Sequence, residues 1–162
     1  LLATQRLAAH HGAARAATFA VSLYLLHNVL YAAFAFVAGW LADRFEKRIL
    51  LAGGYALAAI MGLVLVFAPM NLPVLALVFV LAGVYVATEE ALEDSLAAEL
   101  VDEAHHGMGF GALATVNGIG DFLSSTVVGI LWTVAGAQVA FAFSTALFVV
   151  GAVLVWRLKG ND

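Results

Sequence analysis

Asp121 lies well inside a long apolar run, and a carboxyl there does different work from one in water. An ionisable side chain at bilayer depth costs roughly 2.5–3.5 kcal/mol on insertion scales, so it faces a bundle interior or a cavity. Asn117 is one turn before Asp121 and Ser124 nearly one turn after, which makes a polar stripe on one helix. Two uses fit: a proton, cation or substrate contact, or a carboxyl hydrogen-bonded to a neighbouring helix. A second group is Tyr24, His27, Asn28 and Tyr31, whose spacing puts all four on one helical face. Apolar bodies with polar tips suit a binding wall that orients a ligand, and His27 can also carry a proton. The alternative is plain interhelical hydrogen bonding. A third group is the run from Thr88 to Asp94, with Glu89, Glu90, Glu93 and Asp94. Tyr85, Thr88 and Glu89 share one face, and Glu90 and Asp94 another. Glu93 and Asp94 are expected at the wet end of the helix; Glu89 and Glu90, a turn deeper, are either a gate or proton acceptor or the lining of a water-filled vestibule. His105 and His106 lack a second ligand pair and read as a solvated loop, not a zinc site.

The elements that carry these groups follow from composition. The 162 residues are 64% hydrophobic and 11% charged, against about half and a quarter in soluble domains. Mean hydropathy is +1.02. A helix needs about 20 apolar residues to cross a bilayer, and five stretches qualify, approximately 17–38, 49–68, 73–96, 108–133 and 138–157. The runs lack the polar outer face of a soluble bundle and the short alternation of barrel strands. The fold class is therefore all-α, a polytopic transmembrane bundle. The residues before it, 1–15, hold Arg6, His10, His11 and Arg15 and form an external segment rather than a signal peptide.

The breaks between spans are sharp. Residues 39 to 48 form a charged hinge, and residues 68 to 73 hold both prolines. Residues 99 to 107 are acidic and histidine-rich, and 135 to 138 make a minimal turn. Threading five helices puts Arg44, Lys47, Arg48, Arg157 and Lys159 on one side, with Arg6 and Arg15 on the other. By the positive-inside rule the hinge and C-terminus are cytoplasmic and the N-terminal segment outside, in a plasma or bacterial inner membrane. The net charge of −4 gives no case for nucleic acid, and the absence of cysteine removes disulfides and thiolate metal sites.

The hinge, Gly-Trp-Leu-Ala-Asp-Arg-Phe-Glu-Lys-Arg, resembles the loop signature of the major facilitator superfamily, G-x-L-A-D-R-x-G-R-R. Gly39, Leu41, Ala42, Asp43, Arg44, Lys47 and Arg48 match, and Glu46 stands where that family usually has glycine. A second likeness is Ala97-Ala98-Glu99-Leu100-Val101 with Gly107-Met108-Gly109-Phe110-Gly111. It is similar to the A-E-L-V-P…R-G-x-x-x-G segment between the family's tenth and eleventh helices, with Asp102 for proline and His106 for arginine. The resemblance implies the last five of twelve helices, residues 16–162 being a C-terminal half-domain cut from a longer carrier. It further implies two halves rocking around a midplane site for a small solute, coupled to a proton or cation, with no cofactor. Within the hinge, Asp43 is expected to accept from the free N–H groups that open the next helix. Arg44, Lys47 and Arg48 are expected to pair with Glu99, Asp102 or Glu103, or with the half that lies outside this chain. Pairs made in one conformation only would bias a conformational equilibrium. The plainer reading is that they anchor the loop at anionic lipid.

On a helical wheel of the fourth span, Val116, Ile119, Leu123, Val127 and Ile130 make an apolar arc for lipid. Gly107, Gly111, Ala114, Gly118, Ser125 and Gly129 make an arc of small residues suited to close helix approach. Gly118-Ile119-Gly120-Asp121 also spells the G-x-G-D pattern of intramembrane aspartyl proteases. That chemistry needs two aspartates sharing a proton, and the only conceivable mate is Asp94, at a helix end. No phosphate-binding loop is present. The expected function is secondary transport rather than catalysis. The competing class is a membrane receptor or assembly module that kept a transporter fold.

Overall fold

In the computed structural model, residues 12–69 and 71–157 are described. Arg6, His10, His11 and Lys159 lie outside them. Five long helices account for most of the described residues: α1 Ala13–Ala42, α2 Lys47–Phe67, α3 Leu72–Leu100, α4 His106–Ala135 and α5 Ala137–Arg157. A short 3-10 turn, Glu103–His105, precedes α4. All five are long and apolar enough to cross a membrane. The 21 residues of α2 and of α5 rise about 31 Å at 1.5 Å each, the thickness of the hydrocarbon layer. With 29 or 30 residues, α1, α3 and α4 outrun it and must tilt or project.

The helix ends obey local chemistry. Ala68 is extended because a residue before proline is pushed out of the helical region, and this stops α2. Asn71 then caps α3, its Oδ1 accepting from the Val74 N–H at 3.0 Å, with Pro73 in the first turn, where its missing donor costs nothing. Between α4 and α5 the chain turns on Gly136 alone, at φ 91°, a conformation that suits glycine.

The helices pack in the order α1, α3, α2, α5, α4, and α4 returns to touch α3. One apolar cluster, Ala16, Leu23 and Leu75, joins α1 to α3 far from the hinge. Another, Ala42, Leu51 and Leu92, joins α1, α2 and α3 beside it. Close approach depends on small residues, as expected where lipid removes the hydrophobic drive between helices. At Gly83 of α3 an added Cβ would sit 2.7 Å from the backbone oxygen of His27 on α1. At Gly62 of α2 it would strike Thr145 of α5.

The arc of small residues on α4 has no partner helix within this portion. A Cβ at Gly107, Gly111, Gly118 or Gly129 would meet nothing within 4 Å. The arc has no helix against it among the described residues, because α4 leans on α5 and only lightly on α3. No residue of α4 is buried. Val116, Ile119, Leu123, Val127 and Ile130 are all exposed, as a lipid-facing arc would be.

Candidate functional site

The polar residues gather where α3 faces α1 on one side and α4 on the other. Glu93, half-buried on α3, is the hub. Its Oε2 accepts from Asn117 Nδ2 of α4 at 2.7 Å, and its Oε1 receives the Tyr55 hydroxyl of α2 at 3.4 Å. Three helices thus meet on one carboxylate. Glu89, a turn earlier on the same face, is close enough to Asp121, Glu93 and Glu90 for their charges to act on it. Tyr85, a further turn back, is buried and faces Glu89. Tyr55, Tyr85 and Phe148 of α5 form an aromatic wall behind the acids, with ring centroids 5.4 to 6.5 Å apart.

On the other flank Tyr31 of α1 donates to Glu90 Oε2 at 2.5 Å, and Asp94 lies near the same hydroxyl. His27 sits edge-on to Phe79 of α3 at 6.5 Å and stacks on Tyr24 at 6.3 Å. Tyr24 and Asn28 are exposed, and the Asn28 amide bonds back to the Tyr24 carbonyl at 2.7 Å. The four-residue face of α1 therefore divides: His27 and Tyr31 seal the seam with α3, while Tyr24 and Asn28 line the open side. Asp121 is exposed beside Glu89, and Ser124 bonds only to the Asp121 backbone oxygen, at 3.2 Å. Asp94 lies toward α1 and Asp121 toward Glu89, so the structure does not pair the two aspartates.

Glu89, Glu90, Glu93, Asp94 and Asp121 have no lysine or arginine paired with them among the described residues. Glu89, Glu93 and Asp121 gather on the side of α3 that meets α2 and α4, and Glu90 and Asp94 on the side that meets α1; so many unpaired carboxyls make the local field negative, which attracts cations and holds protons. No group of three ligands with metal-binding geometry occurs among those residues.

Glu93, expected at the wet end of the helix, is also the junction of three helices. The signal was its spacing: Tyr85, Glu89 and Glu93 recur every fourth residue and so form one stripe. Tyr55 gave no such signal, being a lone tyrosine in an apolar span.

The hinge differs from expectation in one respect. Asp43 does not cap α2. It closes α1, its backbone N–H bonded to the Gly39 oxygen at 3.1 Å, and the N-cap position of α2 is Glu46. The turn keeps Asp43 on the last coil of α1, three residues short of the cap position, and its side chain is exposed. Lys47 forms an ion pair with Glu99, which ties the start of α2 to the end of α3. Arg48 pairs locally with Glu46 at 2.5 Å. Arg44 reaches neither Asp102 nor Glu103 and lies 4.0 Å over the Trp40 ring. His106 bonds the Val101 carbonyl at 2.9 Å and steadies the bend into α4, while His105 is exposed.

Comparison with known proteins gives a consistent result. The family model described as Major Facilitator Superfamily matches residues 1–162. An uncharacterized MFS-type transporter of Methanocaldococcus jannaschii is 25% identical over 135 residues, 83% of this chain and 33% of that protein. The chain thus spans about a third of the length of the curated relative it matches. No solved structure matches.

Proposed function

This chain belongs to the major facilitator superfamily and is part of an integral membrane transporter; from that premise we propose that it is the C-terminal portion of a secondary carrier coupled to a proton or another cation. The observation that carries the reading is the group of carboxyls on α3 and α4 with no cation paired to them among the described residues, linked through Glu93 to α2 and α4. A carboxyl that alternately takes and releases a cation changes its hydrogen bonds with Tyr55 and Asn117. Occupancy is thereby tied to the fit of three helices, which is what coupling between two states requires.

The full cavity is completed by the half outside this chain, and the cargo is a small solute bound between the halves by alternating access. The hinge and C-terminus face the cytoplasm. Lys47–Glu99 is a contact that one state makes and the other breaks, and Asp43, exposed on this side, pairs with the other half. The protein moves its cargo without covalent chemistry.

The test is solute flux by the full-length protein in proteoliposomes, with imposed proton or sodium gradients and with a protonophore. Gradient-driven accumulation that Glu93→Gln or Asp121→Asn abolishes, at unchanged protein abundance, supports coupling through these acids. Full accumulation in both variants removes it. Absence of flux under every gradient would favour the receptor or assembly module.

A further inference from the structure

A groove with a cavity volume of about 520 Å³ runs between α2 and α5, lined by Ile49, Gly53 and Ala56 on one wall and Ala152, Val153 and Trp156 on the other. That volume is within the range of ligand pockets, about 300–1,000 Å³. The groove has no carboxylate in its lining. Thr88 of α3 meets Gly54 of α2, whereas Glu90, two positions on, meets Tyr31 of α1. On α2 itself, Gly54 and Tyr55 turn to α3, whereas Ile49, Ala52, Gly53 and Ala56 form a stripe on another side of the helix, so the groove opens away from α3. Ile49, Val153 and Trp156 are exposed, so the groove opens on the outer surface of the bundle.

Its lining is apolar but one end is not. Arg48 immediately precedes Ile49, and Arg157 immediately follows Trp156. One guanidinium nitrogen of Arg48 is held by Glu46, while its Nε is buried with no hydrogen-bond partner. Arg157 closes α5 with no carboxylate paired to it among the described residues. An indole at this level matches the preference of tryptophan for the lipid–water boundary. Basic pockets between transmembrane helices take acidic lipid headgroups. Two copies of the chain facing each other through this groove would bring their own arginines together at one depth, which disfavours a second copy as occupant.

We propose that the groove binds one anionic phospholipid of the leaflet on the hinge side, an acyl chain lying against Gly53 and Ala56 and the phosphate held by Arg48 and Arg157. The site rests on the membrane placement of the helices and is independent of ion coupling. Its occupant bridges the start of α2 and the end of α5, both beside the hinge.

The experiment uses the full-length protein in nanodiscs with phospholipids brominated on the acyl chain, which quench nearby tryptophan. The Trp156 signal is taken as the difference from Trp156→Phe. Brominated phosphatidylglycerol should quench it at a lower mole fraction than brominated phosphatidylcholine. Arg48→Gln and Arg157→Gln should each weaken the phosphatidylglycerol effect about fivefold, and Arg157→Gln, at an exposed helix end, leaves the fold intact. Gly53→Leu should fill the groove and lower quenching by both lipids. Equal quenching by the two lipids in the unaltered protein overturns the site, as does an arginine-independent preference. Protection of Trp156 by dimerisation, seen as crosslinked pairs that exclude both lipids, overturns it too. Flux coupled to a gradient is read separately, so failure of the lipid site and failure of the carrier reading remain distinct.

Discussion

Gly83→Ala isolates how tightly α1 is pressed onto α3. The new methyl would lie 2.7 Å from the His27 carbonyl oxygen and 3.3 Å from both Leu30 Cβ and the Tyr31 nitrogen. None of these is the far end of a flexible side chain, so no rotamer change relieves the contact. Ordinary contact begins near 3.4 Å, so α1 must retreat by about 0.7 Å, a displacement of the kind that overpacking forces on a core. Alanine also favours a helix interior by about 0.8–1.0 kcal/mol over glycine, which would hide part of the effect. Gly53→Ala gains the same propensity with nothing within 4 Å of its methyl, and is the matched control. The difference between the two variants should equal the collision alone, about 1–3 kcal/mol. At roughly 2–4 °C per kcal/mol for a unit of this size, Gly83→Ala should melt several degrees below Gly53→Ala. The assay is thermal unfolding of the full-length protein in detergent, followed by tryptophan emission. Leu30→Ala should not rescue Gly83→Ala, because the carbonyl and the Cβ both stay. Coincident melting of the two glycine variants would refute the α1–α3 crossing, and the Tyr31–Glu90 contact two turns along it would fall as well.

Four other outcomes are expected. Glu93→Gln should impair gradient-driven flux more than Glu90→Gln, since Glu90 joins two helices and Glu93 three; equal flux in both variants removes the hub. Tyr55→Phe should weaken coupling by a factor of a few while leaving abundance unchanged, as befits one long 3.4 Å hydrogen bond; wild-type coupling in proteoliposomes would assign the hydroxyl no role. Lys47→Glu and Glu99→Lys should each slow transport and the double swap should restore much of it, by a coupling of about 0.2–1 kcal/mol typical of exposed pairs; additive loss would place the pair outside the transport cycle. Asp43→Asn should leave abundance and melting unchanged and still cut transport, because that side chain is exposed on this side of the protein; unchanged transport removes its gating role.

The helices were legible because their ends are written in local chemistry. The Ala68-Pro69 step, the Asn71 cap, the turn at Gly136 and the charged hinge each stop or start a helix within the residues themselves. Polar stripes were legible as periodicities, which is how Asn117, Asp121 and Tyr31 were found. What periodicity cannot supply is the rotation of one helix against another. Glu89, Glu90, Glu93 and Asp94 occupy different faces of α3, and only the packing decides that Glu93 meets Asn117 while Glu90 meets Tyr31. What the small residues of α4 pack against was equally illegible. Glycine permits a close crossing, as at Gly83, but it fits an open face equally well. Asp43 misled because α1 runs to Ala42, four residues past the expected end of the span at 38, which leaves Asp43 closing α1 and three residues short of the cap of α2.

The exposure of α4 bears on how such a protein changes over generations. A substitution is usually purged because it unfolds the chain, and most of that cost comes from buried positions. Helix α4 buries no residue in this portion, so along most of its length a new side chain displaces nothing within it. Packing within this portion therefore constrains α4 little, and the cost of placing polar groups in lipid constrains it more. A scan of apolar substitutions along α4 should change abundance less than the same scan along α3, whereas charged substitutions on the arc from Val116 to Ile130 should lower it by the cost of placing charge in lipid.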